Sequence, residues 1–153
     1  MIRQQIDKFI ATVLSSIMAL MVLNVLWQVF TRFVMGNPSS FTDELARYLM
    51  IWVGVLGAAY ISGKNMHVAI DVVSNKLSEK KQKKLSLLVH WIVILFSFTA
   101  LVVGGLRLVY ITAVLHQNSP ALHIPLAVVY VVIPLSGILI IYYKLNDILT
   151  RQL

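Results

Sequence analysis

The chain contains no cysteine. Disulfides, thiolate metal sites and thiol nucleophiles are therefore excluded. Charge is scarce as well: 12% of residues are Asp, Glu, Lys or Arg, against about 25% in soluble domains. Only six residues are acidic, and four stretches carry no charge at all: 9–31, 48–63, 85–106 and 108–143. A helix rises about 1.5 Å per residue, so about 20 apolar residues cross a hydrocarbon core of roughly 30 Å. In that core every backbone amide must be satisfied within the segment, which selects helices. The sequence therefore predicts an all-α integral membrane protein with four transmembrane helices, spans of about 9–31, 46–63, 85–107 and 126–143 forming a single membrane domain over 1–153.

What is present sharpens this reading. The first apolar stretch is too long for the core of a cleaved signal peptide, so it is expected to stay as a span. A Gly36-Asn37-Pro38-Ser39-Ser40 turn cluster follows, and Ser40-Phe41-Thr42-Asp43 reads as a capping box opening the second helix. In the polar connection, Met66, Ile70, Val73 and Leu77 repeat at helical spacing opposite His67, Asp71, Asn75 and Ser78. That pattern predicts a short amphipathic helix lying in the membrane interface, about 66–78. His116 to Pro120 reads as a polar break, Ala121 to Pro125 as a short re-entry, and Tyr142-Tyr143-Lys144 as an aromatic and cationic anchor.

The net charge of +7 would point to nucleic acid in a soluble protein. Here its distribution sets topology instead. With both termini in the cytoplasm, the inner side holds ten Lys and Arg residues (3, 8, 64, 76, 80, 81, 83, 84, 144 and 151) and the outer side three, Arg32, Arg47 and Arg107. Positive residues stay inside, so both termini are expected to be cytoplasmic. The Lys80, Lys81, Lys83 and Lys84 run then sits among anionic lipid headgroups, and nucleic acid is not a partner.

Chemistry-bearing residues are sparse. Thr12, Ser16, Asn24 and Gln28 share one face of span one; hydrogen bonding to a neighbouring helix is favoured over a polar lining. Gly54, Ala58 and Ser62, with Gly57 beside them, form a small-residue stripe that lets another helix approach closely. His90 is the one histidine within a span. A haem would need a second axial ligand at similar depth, so no cofactor is expected. Gly57 and Gly63-Lys64 have five residues between the glycines and Asn65 after the lysine; a phosphate loop needs four and Ser or Thr, so there is no ATP site. Nothing points to a catalytic or metal site, an enzyme is not expected, and no internal repeat of the transporter kind is evident.

Phe41-Thr42-Asp43-Glu44-Leu45-Ala46-Arg47-Tyr48, then Trp52, Gly57-Ala58-Ala59 and Met66-His67-Val68-Ala69-Ile70-Asp71, resemble the small, DctQ-like membrane subunit of TRAP (tripartite ATP-independent periplasmic) transporters. Ser119-Pro120-Ala121-Leu122-His123-Ile124-Pro125, with Tyr130, Pro134 and Gly137, resembles that family's entry to the fourth span. The chain departs from the pattern at Lys64-Asn65-Met66, where a more basic run is common, and at Ser136, where a glycine or other small residue is common. The resemblance implies a bacterial inner-membrane complex. A periplasmic binding protein captures an organic anion, and a large subunit carries it inward by an elevator-like movement driven by sodium. The small subunit braces the static part of its partner. Family substrates are carboxylates such as C4-dicarboxylates and sialic acids; overall similarity leans to sialic acid, and no residue encodes that choice.

On this reading Arg32, Arg47 and Arg107 are expected to meet the binding protein. Asp43, Glu44 and Arg47 are expected to fix the entry of helix two, with Glu44 and Arg47 spaced to pair, while Gly54, Gly57, Ala58 and Ser62 pack against a helix. His67, Asp71, Lys80, Lys81, Lys83 and Lys84 are expected at the interface or on lipid. The alternative is a freestanding four-helix membrane protein. A small multidrug exporter would want an acidic residue inside a span, and span one has none. A structural membrane protein would be stable alone.

Overall fold

A computed structural model describes residues 2–36, 39–64 and 79–151. The expected interfacial helix, with His67 and Asp71, lies outside these residues, as do Asn37 and Pro38. Within them the chain is helical almost throughout. Helix α1 spans Ile2–Phe33. It contains neither glycine nor proline and reaches about 48 Å at helical rise. It ends before Gly36, whose φ of 66° is open to glycine at little cost.

Helix α2, Ser40–Gly63, starts one residue earlier than the capping box required. Ser39 holds the cap position in extended conformation without a side-chain cap bond. Thr42 Oγ1 instead donates back to the Ser39 carbonyl at 2.8 Å. Asp43 still lies in the first turn, where the helix dipole favours a negative charge.

The third span is continuous but not uniform: α3 (Glu79–Phe96), a π-helical segment (Ser97–Gly104), then α4 (Gly105–Val114). A turn leads to the short α5 (Leu126–Tyr130) and then α6 (Val132–Arg151). Pro134 explains the break between them, since it has no N–H to offer the Tyr130 carbonyl. Trp52 of α2 donates its indole N–H to the Val129 carbonyl at 3.0 Å, which fastens this weak point. Residues 115–125 form one compact turn: Asn118 pairs with Pro125, and His116 and His123 take φ of 47° and 54°.

Four stretches are long and apolar enough to cross a bilayer: Arg3–Phe33, Ser40–Gly63, Lys81–Val114 and Leu126–Thr150. The expected four-span, all-α architecture is present.

Packing follows an order different from the sequence. Helix α1 packs chiefly on α2, α2 on α6, and α6 on α3 and the π segment. The spans thus stand in a row: one, two, four, three. In span four 39% of the apolar window is buried, against 11% in each of the others. Only span four is a core helix.

The seam between spans three and four is made by missing side chains. A Cβ on Gly137 would lie 2.8 Å from Leu101 Cβ, and one on Gly105 would lie 2.9 Å from Pro134 Cδ. Ser97 and Ser136 are fully buried beside them, and Ser136 Oγ has no partner among the described residues. Small residues allow this close approach where lipid offers no hydrophobic drive. Gly54 and Gly57, by contrast, have nothing within 4 Å of a modest added side-chain atom. Gly137→Leu should therefore lower the stability of the purified chain by about 2 kcal/mol or more, while Gly54→Leu leaves its thermal midpoint in detergent unchanged. Equal effects of the two would contradict the packing described.

Candidate interaction faces and their polar anchors

The polar residues collect at the two ends of the row. At the end holding the N-terminus, the last carbonyls of α2 lack helical donors, as at any helix C-terminus. The Lys64 amide takes those of Tyr60 and Ile61 at 3.2 and 3.1 Å. Lys144 Nζ donates to the Ser62 carbonyl at 3.0 Å, and the Arg3 guanidinium donates to that of Gly63. Both cations sit at the negative end of the α2 dipole.

Asp147 answers both cations. Arg3 Nη1 donates to its Oδ1 at 2.8 Å, and Lys144 Nζ stands 3.9 Å from its Oδ2. Lys144 and Asp147 are buried, with 1% and 4% exposure. Tyr143 is buried too, its hydroxyl donating to Asp7 Oδ1 at 2.6 Å and its ring filling the space a Cβ on Gly63 would need. Arg3 lies over that ring, 5.6 Å from its centroid, and Lys64 approaches Asp7 at 3.9 Å. One ionic knot thereby ties α1, α2 and α6. This corrects the sequence reading: Tyr143 and Lys144 are not an anchor in the headgroups, because the α2 carbonyls and two carboxylates draw them inward. Tyr142 alone of that trio is exposed.

At the other end Glu44 is the organising group. Its Oε2 accepts from the amides of Ala121 and Leu122 at 2.8 and 3.2 Å, and its Oε1 accepts from the Tyr48 hydroxyl at 2.8 Å. Ser119, buried in the same turn, accepts the Leu122 amide on Oγ at 3.1 Å. The turn is thus clamped onto helix two. Arg47, expected beside Glu44, pairs instead with Asp43 at 3.7 Å, both well exposed; such a surface pair contributes little. Asn24 donates to the Thr42 carbonyl at 2.7 Å and Gln28 to Asp43 at 3.3 Å. The polar face of span one therefore bonds a neighbouring helix at these positions, while Thr12 bonds its own Lys8 carbonyl.

The remaining candidates are dispersed. Arg32, Arg47 and Arg107 are exposed and stand apart, on α1, α2 and α4; Arg32 lies 6.0 Å from the Phe33 ring centroid. Gly54 and Ala58 are exposed, whereas Ser62 of the same stripe is buried. The side of α2 that packs inside the chain carries Ala59, Ser62 and Gly63. Lys81, Lys83 and Lys84 are exposed. His90 is buried with Nδ1 2.6 Å from the Ser86 carbonyl and Nε2 without a partner among the described residues. Among the described residues no three His, Asp or Glu stand close enough to hold a metal.

Sequence reasoning missed Arg3, Asp7, Asp147 and Ser119. The available signal was economy of charge: two of only six acids stand just outside apolar runs at opposite ends of the chain, where solitary charges are costly unless paired.

Two tests follow from these anchors. Lys144→Met leaves Asp147 short of a cation and the Ser62 carbonyl bare, and should cost about 3 kcal/mol in thermal or denaturant unfolding. Lys84→Met, at an exposed position, should change stability by less than about 0.5 kcal/mol. Glu44→Ala should raise hydrogen exchange at the Ala121 and Leu122 amides about tenfold or more; unchanged exchange would mean that the carboxylate does not hold the turn.

Comparison with known proteins places this geometry. Residues 21–152 match the family described as the DctQ component of tripartite ATP-independent periplasmic transporters. A TRAP transporter small permease protein of Haemophilus influenzae is 29% identical over 135 residues, covering 88% of this chain and 82% of the relative. The sialic acid TRAP transporter small permease protein SiaQ of Vibrio cholerae is 32% identical over 105 residues, covering 69% of this chain and 60% of the relative. The isethionate TRAP transporter permease protein DctMQ of Oleidesulfovibrio alaskensis is 26% identical over 111 residues, which make up 70% of this chain and 17% of that much longer protein. With its multi-pass membrane architecture and this match over most of its length, the chain is a transporter permease component: it belongs to the DctQ family of TRAP transporters.

Proposed function

We propose that this chain is the small scaffold subunit of a sodium-driven, binding-protein-dependent transporter for an organic acid of the sialic acid or C4-dicarboxylate class. It lies in the bacterial inner membrane with both termini cytoplasmic, as the ten-to-three distribution of positive residues favours. Its partners are a large elevator-type subunit, a periplasmic binding protein and the surrounding lipid.

The observation that carries this reading is the shape of the row. In three of the four spans only 11% of the apolar window is buried, and the ionisable groups Arg3, Lys144 and Asp147 are spent on one another and on helix ends. Ionisable groups on a transport pathway would face a cavity or substrate instead. Such a chain braces rather than conducts. The DctMQ relative supports a large partner, since there the matched segment is a small part of one longer permease.

The faces follow. Asp43, Arg47, Met50, Gly54, Ala58 and Ile61 recur at steps of three and four and are all exposed, so they form one outward stripe of α2. Gly54 and Ala58, with Gly57 beside them, seat a helix of the large subunit; Arg32, Arg47 and Arg107 meet acidic groups of the binding protein. Lys81, Lys83 and Lys84 meet lipid headgroups.

Gly54→Leu/Ala58→Leu should leave the chain folded but abolish co-purification of the large subunit. Arg32→Glu should do the reverse, keeping the complex while slowing uptake several-fold in reconstituted vesicles. Retention of the complex by the double variant, or full uptake with Arg32→Glu, would contradict the respective assignment.

A further inference from the structure

The spacing of buried residues along span three is uneven. His90 and Ser97 are seven apart, as are Gly105 and Thr112, and all four are buried. Seven α-helical residues turn through about 700°, within about 20° of two full turns, so each pair shares a face. Ser97 and Gly105 are eight apart. In an α-helix that step is about 800°, which would swing Gly105 about 80° off the face. Yet both residues line span four: the position of a Cβ on Gly137 lies 2.8 Å from Leu101 Cβ and 3.3 Å from the Ser97 carbonyl, and that of a Cβ on Gly105 lies 2.9 Å from Pro134 Cδ. The stretch between them, Ser97–Gly104, is π-helical.

A π-helix bonds i to i+5 and so fits more residues into each turn. Ser97, Leu101 and Gly105, at steps of four, fall in one line where an α-helix would drift by about 40° per step. At the entry to the segment the Thr99 hydroxyl donates to the Leu95 carbonyl at 2.8 Å, capping the ladder where its register changes.

We propose that Ser97–Gly104 carries one residue more than an α-helical path, and that the π turns are the device that absorbs it. They keep the two halves of span three in register against span four. They also fix the outward aim of Arg107, which is exposed two residues, or about 200°, beyond Gly105. Return of the segment to α-helix without loss of a residue would turn Gly105, Thr112 and Arg107 together.

Single-residue deletions in the full-length chain test this. Ala100, Ile92 and Leu108 are all exposed; the first lies in the π segment, the others in α3 and α4. Deleting Ala100 sets Ser97 and Gly105 seven apart and lets the span become α-helical throughout. That variant should keep a single elution peak in detergent and a thermal midpoint close to the parent's. Deletion of Ile92 or Leu108 breaks the register and should lose both. Equal damage at all three positions, or equal tolerance, would overturn the proposal.

Discussion

The rest of the structure depends on what becomes of the bare carbonyls at the C-terminal end of α2. Helix two must stop where Gly63 meets Lys64, and in or near a bilayer its terminal carbonyls have few donors to turn to. Two are taken by the Lys64 amide. The other two are taken by cations from distant helices, Arg3 of α1 and Lys144 of α6. Drawing these cations inward, Lys144 to full burial, requires anions: Asp147 lies between them, and Asp7 closes the cluster through Tyr143 and Lys64. A local shortage of hydrogen-bond donors thereby fixes the relative placement of three spans.

The opposite end uses the same chemistry with the signs reversed. Glu44 offers acceptors to free amides of the turn before α5 as Arg3 and Lys144 offer donors to free carbonyls. Between the ends the helices meet through small residues, above all at Gly105 and Gly137. A row pinned at both ends and closely packed at one seam is stiff without being closed. That combination suits a brace, because a closed bundle would have no surface left to share with a partner.

The fold class was legible because a bilayer reduces the problem to counting: uncharged runs of sufficient length give spans. The order of the spans in space was not, since which helix is central depends on where glycines meet side chains, and Gly105 and Gly137 look no different in sequence from Gly54 and Gly57. The capping box failed by one residue because Ser39 and Ser40 are equally good candidates by type, and Thr42 bonds backward to Ser39. Tyr143 and Lys144 were misread as an anchor because Asp7, which accepts from Tyr143, and the Ser62 carbonyl, which accepts from Lys144, lie on other helices. Glu44 stands at the entry of helix two by its place in the sequence, but its bonds to Ala121 and Leu122 span 77 and 78 residues. No local pattern announces them. The eight-residue step from Ser97 to Gly105 was present in the sequence, yet it has meaning only once both are known to face span four.

The central claim is that the uncovered faces belong to a larger membrane protein. The most direct measurement is the mass of the complex that this chain forms when extracted from its native membrane in mild detergent, with every co-purifying chain identified. The account predicts a one-to-one assembly with a large multi-span subunit. Recovery of the chain alone, folded and monodisperse, would contradict it.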